Sequence, residues 1–135
     1  MQTTARLKDS PKSPRKMRLV ADIVRGMDAD KALYILKLHN RKTYALPLEK
    51  LLRSAIASYK EKHEANVEGN ELYIKILNVD SGKSLKRVQA APQGRAHRVR
   101  KRYNHITLIL ASKHGGEEVE ASGNIEETEE TNNNE

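Results

Sequence analysis

The chain has 135 residues, enough for one domain around a single modest core. It contains no Cys, Trp or Phe, which excludes disulfides, thiolate zinc sites and cysteine nucleophiles and leaves Leu, Ile, Val and Ala to build that core. The net charge of +7 divides unevenly: eight Glu and no Lys or Arg lie between Glu117 and Glu135, so residues 1–116 hold all 25 basic residues against 10 acidic ones. An excess that large on a small domain calls for a polyanion, and nucleic acid is the usual partner. The N-terminus lacks a secretory apolar stretch, and no run reaches the ~18 apolar residues a membrane span needs. The expectation is a soluble intracellular protein with no membrane partner.

In chain order, residues 2–8 read as a short strand. Ser13 then suits a helix N-cap and Pro14 the first helical position, with Met17, Val20, Ile23 and Val24 forming an apolar stripe and Gly26 the stop. A second helix, capped by Asp28 or Asp30, turns Ala29, Ala32, Leu33 and Leu36 inward and ends near Asn40. A third, longer one carries Tyr44, Leu48, Leu51, Leu52, Ala55, Ile56 and Tyr59 on a 3.6-residue period. Pro47 belongs in or near its first turn, because deeper placement removes a ladder bond. "HEANVEGNE" is a polar connection, and the alternating "ELYIKILNVD" and "HITLILAS" read as strands.

Between those strands lies "SLKRVQAAPQGRAHRVRKRYNH", Ser84–His105, with no acidic residue. Ala91-Pro92-Gln93-Gly94 fits a turn with Pro second and Gly fourth, which predicts a hairpin whose paired residue numbers sum to 185. That register sets Ile76 opposite Ile109 and Val79 opposite Ile106. It also sets Arg87 opposite Arg98 and Lys83 opposite Arg102, and places Lys83, Arg87, Arg98, Arg100 and Arg102 on one face with Leu85. Like charges facing each other about 5 Å apart oppose pairing, and an isolated ribbon projecting roughly 35 Å is marginal in water. Such an arm needs an anionic partner. Tyr103 is the one aromatic residue near it, so phosphate contact and shape recognition are favoured over base stacking.

Other motifs carry less. Gly82-Lys83-Ser84 after a strand suggests a phosphate loop, but Leu77 stands where the first glycine is required, and a turn or bulge at the base of the arm is the plainer reading. His39, His63, His97, His105 and His114 show no metal-ligand spacing, Glu64 and Glu68 read as solvated, and no nucleophile–base pair stands out. No catalysis, metal or cofactor is expected. The 117–135 segment reads as a disordered solubilising tail.

"SPRKMRLVADIVRG" (Ser13–Gly26), "PLEKLLRSAIAS" (Pro47–Ser58) and "SLKRVQAAPQGRAHRVRKRYNHITLIL" (Ser84–Leu110) together resemble the bacterial large-subunit ribosomal protein family numbered twenty-two, in order and up to about Lys113. The resemblance implies an α+β fold: three helices packed on a small antiparallel sheet, with a long protruding β-hairpin at about 81–104. It implies a single domain over 1–113, with 114–135 outside it. It further implies binding to large-subunit ribosomal RNA, help in subunit assembly and neighbouring ribosomal proteins as partners. The protein would be a monomer within the ribosome, its hairpin tip lining the exit tunnel beside the nascent polypeptide.

By position, Arg15, Lys16 and Arg18 match the basic start of the family's first helix, and Gly94, Arg95 and Ala96 match its tip. Arg98, Lys101 and Arg102 match its basic arm, and Leu85, Lys86 and Arg87 lie where changes alter macrolide response. With Lys83, His97 and Arg100 from the acid-free arm, these cations form the candidate RNA-binding set. Gln89, Ala90, Ala91, Pro92, Gln93, Gly94 and Arg95 form the candidate tip, whose order departs from the family's usual Pro-Arg-Ala. Two rivals remain: an architectural DNA binder inserting a basic β-arm, and, more distantly, a nucleotide hydrolase built on Gly82-Lys83-Ser84.

Overall fold

The computed structural model describes residues 1–63 and 71–113, so Glu64, Glu68, His114, most of the "HEANVEGNE" connection and the acidic tail lie outside the described residues. The elements run β1 (Gln2–Ser10), α1 (Pro14–Val24), α2 (Ala29–Leu38), α3 (Lys42–His63), β2 (Leu72–Ala90) and β3 (Ala96–Ser112). The strands form one antiparallel sheet in the order β1-β3-β2. The helices cover one of its faces. This is the α+β arrangement expected, with β2 and β3 continuing past the sheet as a long hairpin.

The core follows from the apolar periods. Met17, Val20, Ala21 and Val24 of α1, Ala29, Ala32 and Leu36 of α2, and Leu48, Leu52, Ala55 and Tyr59 of α3 pack on Leu72, Ile74, Leu77 and Val79 of β2 and Ile106, Leu108 and Leu110 of β3. Burying these side chains supplies the main driving force, at about 1.5–3 kcal/mol for each large one. The α1 stripe is one residue off expectation. Ile23 is 42% exposed and Ala21 takes its place at 0%, because the buried arc centres between Val20 and Val24.

Ser13 caps α1 by position: its carbonyl accepts the Met17 amide at 3.0 Å, while its hydroxyl makes no cap bond. Gly26, just past the helix, takes φ +77°, a conformation that favours glycine. α3 begins earlier than its proline suggests, since the Arg41 carbonyl accepts the Tyr44 and Ala45 amides. Pro47 therefore sits in the second turn, with no N–H to return to the Thr43 carbonyl.

β2 is an edge strand, and its free side is closed. Gly26 and Met27 exchange backbone hydrogen bonds with Ile74 at 3.2 and 2.9 Å, and Asp28 bridges to Tyr73. Further along, Arg25 donates from Nε and Nη2 to the Leu77 carbonyl at 3.2 and 2.9 Å, and Arg18 Nε donates to the Val79 carbonyl at 3.0 Å. Unpaired edge groups of this kind would otherwise invite another strand.

Candidate nucleic-acid interface

The register settles how the arm presents its charge. At its base the expected pairs hold: Ile76 faces Ile109 and Val79 faces Ile106. Beyond Ser81↔Asn104 the next pair is Ser84↔Arg102, so Gly82 and Lys83 of β2 bulge against Tyr103 alone. The bulge moves the pairing by one residue, and the arm runs Lys86↔Arg100, Arg87↔Val99 and Val88↔Arg98. The expected Arg87–Arg98 and Lys83–Arg102 pairs are therefore wrong. The like-charged facing pair is Lys86 with Arg100.

At the tip, the Ala91 amide donates to the Arg95 carbonyl at 2.9 Å and the Arg95 amide to the Pro92 carbonyl at 3.4 Å. Gln93 (φ 61°) and Gly94 (φ 68°) both occupy the left-handed region. The turn is thus centred one residue later than Ala91–Gly94, with Pro first and not second. Two positive-φ residues match the twist of a hairpin.

Side chains alternate along β3, whose pairing shows no extra residue of its own. The face that buries Leu110, Leu108, Ile106 and Asn104 continues outward as Arg102, Arg100 and Arg98, all exposed. Ser84, Lys86 and Val88 lie beside them on β2. The opposite face carries Leu85, Arg87, Gln89, His97, Val99 and Lys101. The single five-cation face is thereby corrected: Arg87 lies on the other side, and Leu85 shares that side with Val99.

The foot of the arm is held on both faces. On the helix side Asn104, fully buried, donates from Nδ2 to the Lys12 carbonyl at 2.9 Å. On the outer side His105 Nδ1 accepts the Asp9 amide at 3.0 Å. Lys83, expected beside the arginines, instead stands 3.5 Å from Asp9 Oδ1 and 5.6 Å from the Tyr103 ring centre. Gly82-Lys83-Ser84 is a bulge and not a phosphate loop.

α1 adds to the helix-side face. Lys16, with Pro11 and Ser13, lines one open crevice of about 480 Å³ together with Arg100, Lys101, Arg102 and Tyr103. No carboxylate lines it, which suits a phosphate chain. Arg15 is exposed nearby in sequence, whereas Arg18 spends its Nε on Val79. Arg25, absent from the sequence-based set, does the same at Leu77; only the fold reveals that those carbonyls sit on an edge. Among the described residues no cluster of His, Asp or Glu could hold a metal ion, and no helix is long and apolar enough to cross a membrane.

Residues 5–111 match the model of the family described as ribosomal protein L22p/L17e. The large ribosomal subunit protein uL22 of Bacteroides fragilis is 50% identical over 114 residues, covering 84% of this chain and 83% of that one. The protein of the same name from Christiangramia forsetii is 56% identical over 109 residues, 80% of each chain. That of Porphyromonas gingivalis is 51% identical over 106 residues, 78% of each.

Proposed function

The chain belongs to the ribosomal protein L22p/L17e family, and from that premise we propose that its arm and the start of α1 form one phosphate-binding surface for large-subunit ribosomal RNA. Membership makes the protein a structural, non-enzymatic constituent of the large ribosomal subunit. The architectural DNA-binding alternative finds no support in these matches.

The observation that carries the reading is the change of character along one face of β3, from buried Asn104 and Ile106 to exposed Arg102, Arg100 and Arg98. A strand anchored in a core at one end and acid-free at the other is built to enter a polyanion. Arg98, Arg100, Arg102, Lys86 and Lys16 contact phosphates from the helix-side face, with Arg15 beside them. Arg87 and His97 do so from the other, Lys101 does so from the strand edge where it also lines the crevice with Lys16, and Arg95 contacts phosphate near the tip. Lys83 acts at the foot. Counterion release contributes to the affinity, and RNA segments distant in sequence are bridged as the subunit assembles.

The tip, Gln89–Arg95, holds no cation before Arg95 and presents Ala90, Ala91, Pro92 and Gln93, a surface suited to lining a passage for the nascent polypeptide. Residues 1–113 form the single folded domain in this reading, monomeric within the ribosome, and 114–135 lie outside it.

Replacing Arg98, Arg100 and Arg102 by Gln tests the assignment. The slope of log affinity for large-subunit RNA against log salt should fall by about 0.7–0.9 for each phosphate no longer neutralised, with the helical spectrum unchanged. An unchanged slope would remove the arm from the RNA interface.

A further inference from the structure

A second cationic groove opens on the β1 side of the arm's foot, meeting it at Lys12, whose carbonyl accepts from Asn104. It runs between β1 and the N-terminal half of α3 and holds about 800 Å³. Its character is mixed. Leu7, Leu46, Pro47 and Leu51 form an apolar floor, with Leu46 50% exposed, while Arg6, Lys12, Lys42 and Lys50 stand around it and no carboxylate contributes. The first turn of α3 carries no acidic residue, so the positive end of its helix dipole adds to the field.

A phosphodiester chain satisfies the cations and leaves the floor bare. A peptide that alternates carboxylates with β-branched apolar side chains satisfies both, and this chain carries one: "EEVEASGNIEETEE", Glu117–Glu130, sets Val119 and Ile125 among glutamates. The described chain ends at Lys113, whose amide donates to the Glu71 carbonyl and whose Nζ pairs with Asp28 on the β2 side, so the groove is within the tail's reach but not beside the chain's exit. The Ser112 amide donates to the Met1 carbonyl, and Gln2 faces Ala111. Arg6 lies four residues along β1 from Gln2, about 13 Å, and Glu117 lies four residues beyond Lys113, a similar reach.

We propose that in the RNA-free protein the segment Glu117–Glu135 occupies the groove between β1 and α3, and that it yields the site when a stronger polyanion arrives. The acidic segment then acts as an internal stand-in for nucleic acid, shielding part of the excess charge of residues 1–116 and disfavouring non-specific anions. The assignment is independent of which arm residues bind RNA.

The absence of native cysteine makes the test direct, since Ser122→Cys in the full chain gives a single attachment point for a nitroxide. At low salt the label should broaden the amide resonances of Thr43, Leu46 and Lys50, independently of protein concentration. The broadening should vanish in a Lys42→Glu/Lys50→Glu background, and also at 1 M salt, where the screening length is about 3 Å. The salt arm decides the matter even if the charge-reversed chain folds poorly. Broadening confined to Arg98–Arg102, broadening that grows with concentration, or none at all would overturn the proposal.

Discussion

Gly82 lies so close to Tyr103 that a β-carbon on it would stand 3.2 Å from the Tyr103 carbonyl carbon and 3.0 Å from His105 Nε2. This approach is what lets two residues of β2 crowd against one of β3. Gly82→Val should cost about 1–3 kcal/mol, since the nearest backbone cannot move aside cheaply. It should also raise hydrogen exchange at Lys86 and Arg100, whose pairing depends on the shift. A Gly82→Val chain with the parent's stability and exchange would show that the bulge does not depend on a missing side chain.

The same close approach explains what the sequence could and could not disclose. Alternation placed both strands, and the 185 register held at Ile76 and Val79 because each apolar residue there has one face to bury. Beyond Ser81 no buried apolar residue enforces register, Leu85 and Val99 being only half-buried. The bulge and the turn at Gln93–Gly94 decide it, and both depend on backbone geometry. The arm's cations were legible as a run; their division between two faces was not. The groove between β1 and α3 was out of reach altogether, because Arg6, Lys12, Lys42 and Lys50 come from separate segments that only the fold brings together.

Arg18 and Arg25 hold the free edge of β2 against α1. Removing Arg25 leaves the Leu77 carbonyl without two charged donors, and Arg18→Ala does the same at Val79 with one. Hydrogen bonds from charged groups contribute about 1.5–3 kcal/mol. Arg25→Ala should therefore lower stability by about 2 kcal/mol and Arg18→Ala by slightly less, read from urea unfolding in the absence of RNA. If Arg18→Ala leaves the urea midpoint untouched while weakening RNA affinity, its role is contact with RNA and not edge closure.

Asp28 accepts from Lys113 at 2.6 Å and Lys31 at 3.0 Å. The Lys113 hydrogen bond, followed by that of Lys31, holds its carboxyl below the ordinary value of 3.8. A carboxyl whose folded pKa is depressed stabilises the fold above its unfolded pKa, and that contribution is lost as pH falls through the folded value. Asp28→Asn should thus lower the urea midpoint at neutral pH and flatten the acid limb below about pH 4. The two chains should converge at the lowest pH. Parallel curves throughout would mean that Asp28 is not the group being titrated.

Lys16 and Arg100 reach the same crevice from different elements, α1 and β3, although 84 positions separate them in the chain. If a single stretch of RNA backbone fills that crevice, truncating one side chain loosens the phosphates that the other holds. A double-mutant cycle of Lys16→Ala and Arg100→Ala on RNA affinity should then give a coupling of about 0.5 kcal/mol or more. Lys16 and Arg87 offer the control, since Arg87 lies on the far face of the arm and does not line the crevice. Their effects should add within about 0.5 kcal/mol. Equal coupling in both cycles would mean that the two faces of the arm are not distinguished by the RNA, and the crevice would lose its place as a separate binding surface.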